Sequence, residues 1–557
     1  MKKIFTNICL GIMLICSGAC NEKEFLAEVP LDFLSPENAY NNYSGFQSAL
    51  AGIYSQVRDW ETRTGGLRNF LATDIAYNAR EDSDRMGNLA TVYTASSKYT
   101  SGFWEVSYQI IKDANAIMAK VKDSDLSKKE KTLIEAEARF FRAYGYRNLV
   151  YFYGGVPLIK EEITYPKRDF TRASKEEVLN FMIEDFEFAA QNLPGIDEVT
   201  DGKISDLVAK HYLAETYIST GDYTSAIQNA TDVISDKSTA LMTKRFGTRV
   251  SAVPNGDVYF DLFQRGNQNR KSAGNTEALW VMQMEVDVIG GYTVSTDYSV
   301  PYERYHVPSV HTVTDPNGKQ GMLGPRSDFN IGGRGVSYMK TTDWHLYEIW
   351  GDDFNNDLRN SPVNIVRDVI YDNPASKWYG KSAIAPESMS KNIKEVPYKW
   401  YPWLTKVTCP GDHPEGLYKD RELGLLTDAA GGTYADQYLL RLAETYLVRA
   451  EAYLMNQQPD KAAADINVVR RRAKASDVAP ADVTLDYILD ERARELCLEE
   501  RRRLTLHRTG TYVERVRKYN TFQSSQVEDR MCLFPIPYSF IEANTGAHIE
   551  QNPGYNN

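Results

Sequence analysis

A chain of 557 residues, 42% hydrophobic and 25% charged, is long enough to bury a large core and too mixed in composition to be fibrous or disordered. Its formal net charge of −11 weighs against nucleic acid or an anionic lipid surface as the electrostatic partner. Seven scattered histidines and no CxxC pair leave neither a zinc-ligand spacing nor a disulfide framework, so Cys409, Cys497 and Cys532 are expected as buried free thiols.

The chain begins with Lys2 and Lys3, an apolar stretch over 4–15 too short to span a bilayer, and then Ser17-Gly18-Ala19-Cys20. This order resembles a bacterial lipobox, with Ser17 where leucine is usual. Residues 1–19 would be removed and Cys20 diacylated to anchor the protein stably. An ordinary cleaved signal peptide is the other reading of the same residues. No later segment approaches eighteen uninterrupted apolar residues. Residues 20–35 read as an extended tether and 36–557 as a single unit.

A helix is expected after Ser35-Pro36, then amphipathic helices over 101–122 and 128–152, the latter stopped by Gly154-Gly155-Val156-Pro157. Ser174 to Asn192 is another, with Ser174 and Glu177 at capping-box spacing. Residues 206–235 place Ala214, Tyr217, Gly221, Tyr223, Ala226 and Ala230 as a tetratricopeptide helix pair does. Residues 436–474 repeat the pattern with Ala450, Tyr453, Ala462 and Ile466. Helix resumes over 485–508, where alternating Glu and Arg at 491–503 suit ladders on a helix face and caps for neighbouring turns. Between about 241 and 435 the helical period fades into Gly, Pro, Asn and aromatics with short strand-like runs such as 279–283. The fold class is therefore mainly α. A tetratricopeptide-like helix-pair scaffold (about 36–240 and 436–557) carries a loop-rich, irregular α+β insertion at about 241–435.

Several motifs then fall in one order: EAEARFFRAYGYRNLVYFYGGVPLI (135–159), DYTSAIQNATDVI (222–234), NTEALW (275–280), LLRLAETYLVRAEAYL (439–454), DINVVRRRA (465–473), ILDERARELCLEERRRLTLHRTG (488–510) and LFPIPYSFIEANTGAHIEQNPGY (533–555). The set resembles the SusD/RagB family of cell-surface glycan-binding lipoproteins of Bacteroidetes. The departure is at 505–508, where the family more often has an aspartate. The resemblance implies a non-enzymatic outer-membrane lipoprotein facing the cell exterior. It would bind oligosaccharide and deliver it to a SusC-like, TonB-dependent transporter. The same lid architecture holding a peptide or other non-glycan cargo is the alternative.

Two irregular regions supply candidate ligand contacts, because rings suit sugar faces while Arg, Asp and Asn suit adjacent hydroxyls. The first contains Trp60, Asn69, Asp74, Asn78, Arg80, Glu81, Asp82 and Tyr93; the second Tyr292, Tyr298, Tyr302, Tyr305 and His306. Trp280 is expected in the core, and the stretch bearing Trp344, Trp350, Trp378, Trp400 and Trp403 ranks below both regions. Asp352-Asp353 and Glu81-Asp82 are carboxylate pairs of the kind a glycosidase needs, though adjacent acids are common on loops. No cofactor is implied. Asp353, Asn355 and Asp357 leave room only for a loosely bound calcium, since Leu358 replaces the glycine of an EF-hand.

Overall fold

A computed structural model describes residue 40 and residues 42–62, 64–80, 85–284, 286, 292 and 300–556. The leader, Cys20, the expected tether, the Ser35-Pro36 helix start, Glu81, Asp82 and Tyr298 lie outside the described residues.

Helix α1 (Tyr43–Thr62) lies on the pair α2 (Lys98–Lys122) and α3 (Lys128–Tyr153). Next come α4 (Lys175–Asn192), α5 (Asp206–Thr220) and α6 (Tyr223–Ile234), each packed on its predecessor. Local chemistry sets these boundaries. Ser127 with Glu130 and Ser174 with Glu177 form reciprocal capping boxes that satisfy first-turn N–H groups. Gly221, at φ +85°, takes the left-handed position that closes α5, and Asp222 Oδ1 accepts the Ser225 N–H to open α6. Gly145 lets α3 approach α2 closely: a Cβ there would stand 3.0 Å from Ile111 Cγ1 and from the Ser107 carbonyl oxygen.

The second half of the stack comes from the far end of the chain. Residues 437–441, expected as helix, form an antiparallel strand β2 (Gln437–Arg441) against β1 (Ala278–Met282), with Ala278 opposite Arg441. The period-two burial of Tyr438 and Leu440 explains the difference, because a helix would scatter those side chains. Helix α7 (Leu442–Met455) follows directly and packs on α6 through Ala226, Ala230, Val448 and Ala452. Helix α8 (Pro459–Arg472) then reverses along it. Trp280 of β1 sits in the core, with its ring edge-on to Phe140 at 5.6 Å and Tyr144 at 5.4 Å.

The helix expected over 485–508 is broken. Helix α9 (Leu485–Leu496) ends before Leu498, which is left-handed at φ +59°, and α10 (Arg502–Arg508) and α11 (Tyr512–Tyr519) follow. The break turns Glu495 and Glu499 toward the same partner, Arg441 (2.6 Å to each carboxylate). The charged run is thus a buried hub as well as a set of ladders. Arg359 reaches Glu491 at 2.7 Å and Glu495 at 3.1 Å, and Arg472 reaches Glu277 at 3.1 Å. Asp74, just beyond the short helix Thr64–Phe70, receives Arg502 at 2.6 Å and Arg515 at 2.7 Å. Those guanidiniums outweigh the burial penalty and hold the Asp74 carboxyl down at about 2. Cys409 and Cys497 are buried free thiols, their pKa pushed up to about 12 by burial; Cys532, expected to be buried, is exposed beside the C-terminal turn.

Candidate functional site

The loops of the central segment converge around the short helix Tyr302–His306. Its first residue is pinned by the Tyr302 hydroxyl, which donates to the Glu61 carbonyl at 2.7 Å. Its last residue is fixed by both ring nitrogens: His306 Nδ1 donates to the Met339 carbonyl at 3.0 Å, and Nε2 accepts the Leu404 N–H at 2.9 Å. Burial of this neutral ring lowers its pKa to about 4, so His306 is a fixed strut and not a titrating ligand.

Between those two anchors Tyr305 is left half-buried. The Met339 N–H donates to the Tyr305 carbonyl, and the Val336 N–H to the Arg304 carbonyl, both at 2.8 Å, laying the 336–339 segment alongside. Ser337, buried and left-handed at φ +69°, donates its hydroxyl to the Tyr398 carbonyl at 2.7 Å, which also accepts the Ser309 N–H at 3.1 Å. Three half-buried tyrosines, Tyr305, Tyr338 and Tyr398, are thereby held on neighbouring segments.

Two arginines join them. The Arg80 guanidinium lies 4.6 Å from the Tyr398 ring centroid and 5.5 Å from that of Tyr338. Arg85 lies 4.2 Å from Tyr338 and 5.6 Å from Tyr305. The result is a continuous arc, Tyr398–Arg80–Tyr338–Arg85–Tyr305, of alternating ring and guanidinium. Lys399 stands beside it, donating to Thr312 Oγ1 at 2.6 Å; burial first, and then the Arg80 charge, lower its pKa. Backbone strain flanks the arc on both sides, since Met86 (φ +56°) follows Arg85 and Ser337 precedes Tyr338. An arc of this kind offers ring faces for apolar C–H surfaces and guanidinium N–H groups for hydroxyl or carboxylate oxygens.

Of the residues named from the sequence, Arg80 and Tyr305 fall in this arc. Asn78 supports it, its Oδ1 accepting the Arg80 N–H at 3.0 Å. The other described candidates stand elsewhere. Trp60 is half-buried, edge-on to Phe103 at 4.8 Å. Asn69 is buried and donates to Glu61 at 3.3 Å. Tyr93 is fully buried and accepts from Arg503 at 2.8 Å. Tyr292 donates to Asp59 at 2.7 Å under the Arg58 guanidinium. Asp74 belongs to the ionic hub. Arg85, Tyr338 and Tyr398 escaped sequence reading. The signals available were modest: the glycine run Gly332-Gly333-Arg334-Gly335 just before Tyr338, and Pro397 before Tyr398.

Two further constellations have chemical form and a structural explanation. Asp353 accepts from Arg470 at 2.7 Å and from Ser476, and Asp357 chelates Arg359 at 2.6 and 2.9 Å, so both carboxylates are consumed by arginines. Among the described residues no group of three or more His, Cys, Asp and Glu is arranged to hold a metal. Ser327, His413 and Glu303 form a relay, with 2.7 Å from Oγ to Nδ1 and 2.8 Å from Nε2 to Oε2. The Ser327 oxygen also accepts from the Tyr418 hydroxyl at 2.9 Å and the Gly411 N–H at 3.1 Å. A hydroxyl saturated in this way ties three loops together and has no lone pair left for attack.

Two family models match this chain. One, described as "SusD family", covers residues 418–555; the other, described as "Starch-binding associating with outer membrane", covers residues 31–218. The SusD-like protein P2 of Formosa agariphila is 24% identical over the whole of both chains. The SusD-like protein P25 of the same organism is 23% identical over 53% of this chain, a match spanning only 55% of that relative's length. Among solved structures, a laminarin-binding SusD-like protein shares the fold with a TM-score of 0.66 at 22% identity, covering 93% of this chain and all of that one. With family patterns matching at both ends, a relative aligned throughout and a shared mainly α fold, the chain belongs to the SusD/RagB family.

Proposed function

We propose that this protein is a glycan-binding lipoprotein of the outer membrane, anchored through acylated Cys20 and facing the cell exterior. It captures oligosaccharide on the Tyr398–Arg80–Tyr338–Arg85–Tyr305 arc and passes it to a SusC-like, TonB-dependent transporter. The observation that carries this reading is the arc itself. Three rings on a short helix and two loops are prepositioned by backbone hydrogen bonds, so little conformational freedom is lost when a sugar stacks on them. The family description and the laminarin-binding neighbour support a saccharide as ligand. Among the described residues no helix is long and apolar enough to cross a membrane, and attachment through a lipid on Cys20 needs none. Of the other described candidates, Asn69, Tyr93, Tyr292, Tyr302 and His306 would act as scaffold and not as contacts.

The test is affinity electrophoresis of the mature chain, with Cys20→Ser to keep it unacylated, in gels containing neutral and uronic-acid polysaccharides. Retardation by one class, weakened about tenfold or more in Tyr338→Ala and in Arg80→Ala, is expected; tenfold corresponds to ~1.4 kcal/mol. Circular dichroism should show both variants folded. Retention of full binding in both variants would remove the arc as the site. Failure with every polysaccharide would favour a peptide cargo.

A further inference from the structure

The segment that presents Tyr338 runs on beyond the arc. Val336, Tyr338 and Lys340 stand on its solvent side, alternating with buried Ser337 and Met339. Lys340 then opens a short strand, Lys340–Thr341, that pairs antiparallel with Ala76–Tyr77 and sets Tyr77 opposite Lys340. Residues directly opposite on such a ladder project from the same face. The Lys340 ammonium accordingly lies 5.7 Å from the Tyr77 ring centroid, and 3.2 Å from the Asp343 carboxylate. Lys340 is two residues beyond Tyr338, about 7 Å along an extended chain, so the pair adjoins the arc.

A further ring sits on this pair. Phe522 stacks on Tyr77 with centroids 4.8 Å apart and planes within 15° of parallel, and it is 45% exposed. Tyr77 covers one of its faces, which leaves the outer face to solvent.

The turn bearing Phe522 is held by buried amides. Asn520, just past α11, donates its side-chain N–H to the Thr73 carbonyl at 2.8 Å, and Gln523 donates its own to the Met86 carbonyl at 2.8 Å. Both side chains are fully buried, and the Gln523 backbone N–H closes the turn onto the Asn520 carbonyl at 3.1 Å. Thr73 and Met86 bracket Arg80 and Arg85 in the chain, so the turn is fastened to the same stretch that supplies the guanidiniums of the arc. The core does not require this ring, because its outer face packs on nothing, yet the turn holds it in a fixed place. An aromatic face with an ammonium at its edge repeats the chemistry of the arc: a surface for sugar C–H groups beside a donor for hydroxyl oxygens.

We propose that the Phe522–Tyr77 stack, with Lys340 at its edge, is a second saccharide platform. It takes up the part of a longer oligosaccharide that runs past the arc, and so makes the protein selective for chain length. This role presupposes that the arc holds glycan.

Affinity gels containing laminarin, soluble starch or polygalacturonate first identify the polysaccharide that retards the mature Cys20→Ser chain. Binding of that polysaccharide, and of its shortest fragment bound measurably by wild type, is then compared in wild type, Phe522→Ala and Phe522→Trp. Phe522→Ala is expected to weaken polysaccharide binding about five- to tenfold and to leave the short fragment unchanged, while Phe522→Trp, which keeps a ring face, binds both as wild type does. Equal polysaccharide binding by wild type and Phe522→Ala would overturn the proposal and point to a protein partner for the patch. Equal weakening of polysaccharide and short fragment would overturn it too, because Phe522 would then act through the arc. Both results leave the glycan reading standing, whereas retardation by none of the three polysaccharides would overturn the two together.

Discussion

At the scale of single residues, two charges six positions apart stand in different surroundings. Asp74 is fully buried with two guanidiniums on its two oxygens, and Arg80, six residues later, lies against tyrosine rings. A buried pair gains little over a hydrophobic replacement, but removing one partner strands the other charge. Asp74→Asn should therefore cost about 3–5 kcal/mol in chemical denaturation; a loss below ~1 kcal/mol would show the hub to be solvated. The sequence placed Asp74 and Arg80 in one candidate set because both are polar residues on an irregular stretch rich in rings. Nothing local separates them, since what decides is whether an arginine more than 400 positions away arrives to neutralise the acid. For the same reason Tyr93 and Tyr302 read as surface rings, yet each has its hydroxyl satisfied inside the protein.

At the scale of elements, periodicity carried the helical ends well because each helix buries one continuous stripe. It faltered where the chain changes period within one apolar run. Residues 437–455 read as a single helix, but the first five pair with β1 and only then does α7 begin. The 485–508 segment has uninterrupted helical spacing, and its break at Leu498 is imposed by two glutamates serving one arginine. Helix propensity also misleads at Gly145. In isolation Gly145→Ala should stabilise α3 by ~1 kcal/mol. Here the added methyl meets a backbone carbonyl of α2 that cannot rotate away. We expect a net loss of about 1–2 kcal/mol and a lower melting temperature; a rise in melting temperature would mean that the two helices separate freely.

At the scale of the whole molecule, four buried histidines whose pKa values are pushed well down shape the acid response. His211, His345 and His507 are lowered to about 3 and His306 to about 4, in each case chiefly by burial. One ring nitrogen of each of the first three has no acceptor, so protonation would bury an unpaired charge. The unfolded chain takes up these protons first, near its ordinary value of 6.5. Stability is thus full above that pH and falls as pH drops toward the folded values, by up to ~1.4 kcal/mol per histidine per pH unit. Asp74, Glu215 and Glu491, held at about 2 against burial by their arginines, add a second loss of the same sign below about pH 4. Melting temperature should fall from pH 6.5 downward and more steeply below 4; a flat profile between 7 and 4.5 would contradict the neutral-histidine interior.

The bonds from Asp74 to Arg502 and Arg515 also impose an order of events on synthesis. When the first two hundred residues leave the ribosome, α1 to α4 can form and pair, because their contacts are close along the chain. Asp74 cannot enter the interior, since the cations that make its burial tolerable are encoded more than 400 codons downstream. The N-terminal half must wait with that loop open, and the body closes only when the last sixty residues arrive. A chain cut short before α10 is therefore not a smaller version of this protein but an unfinished one.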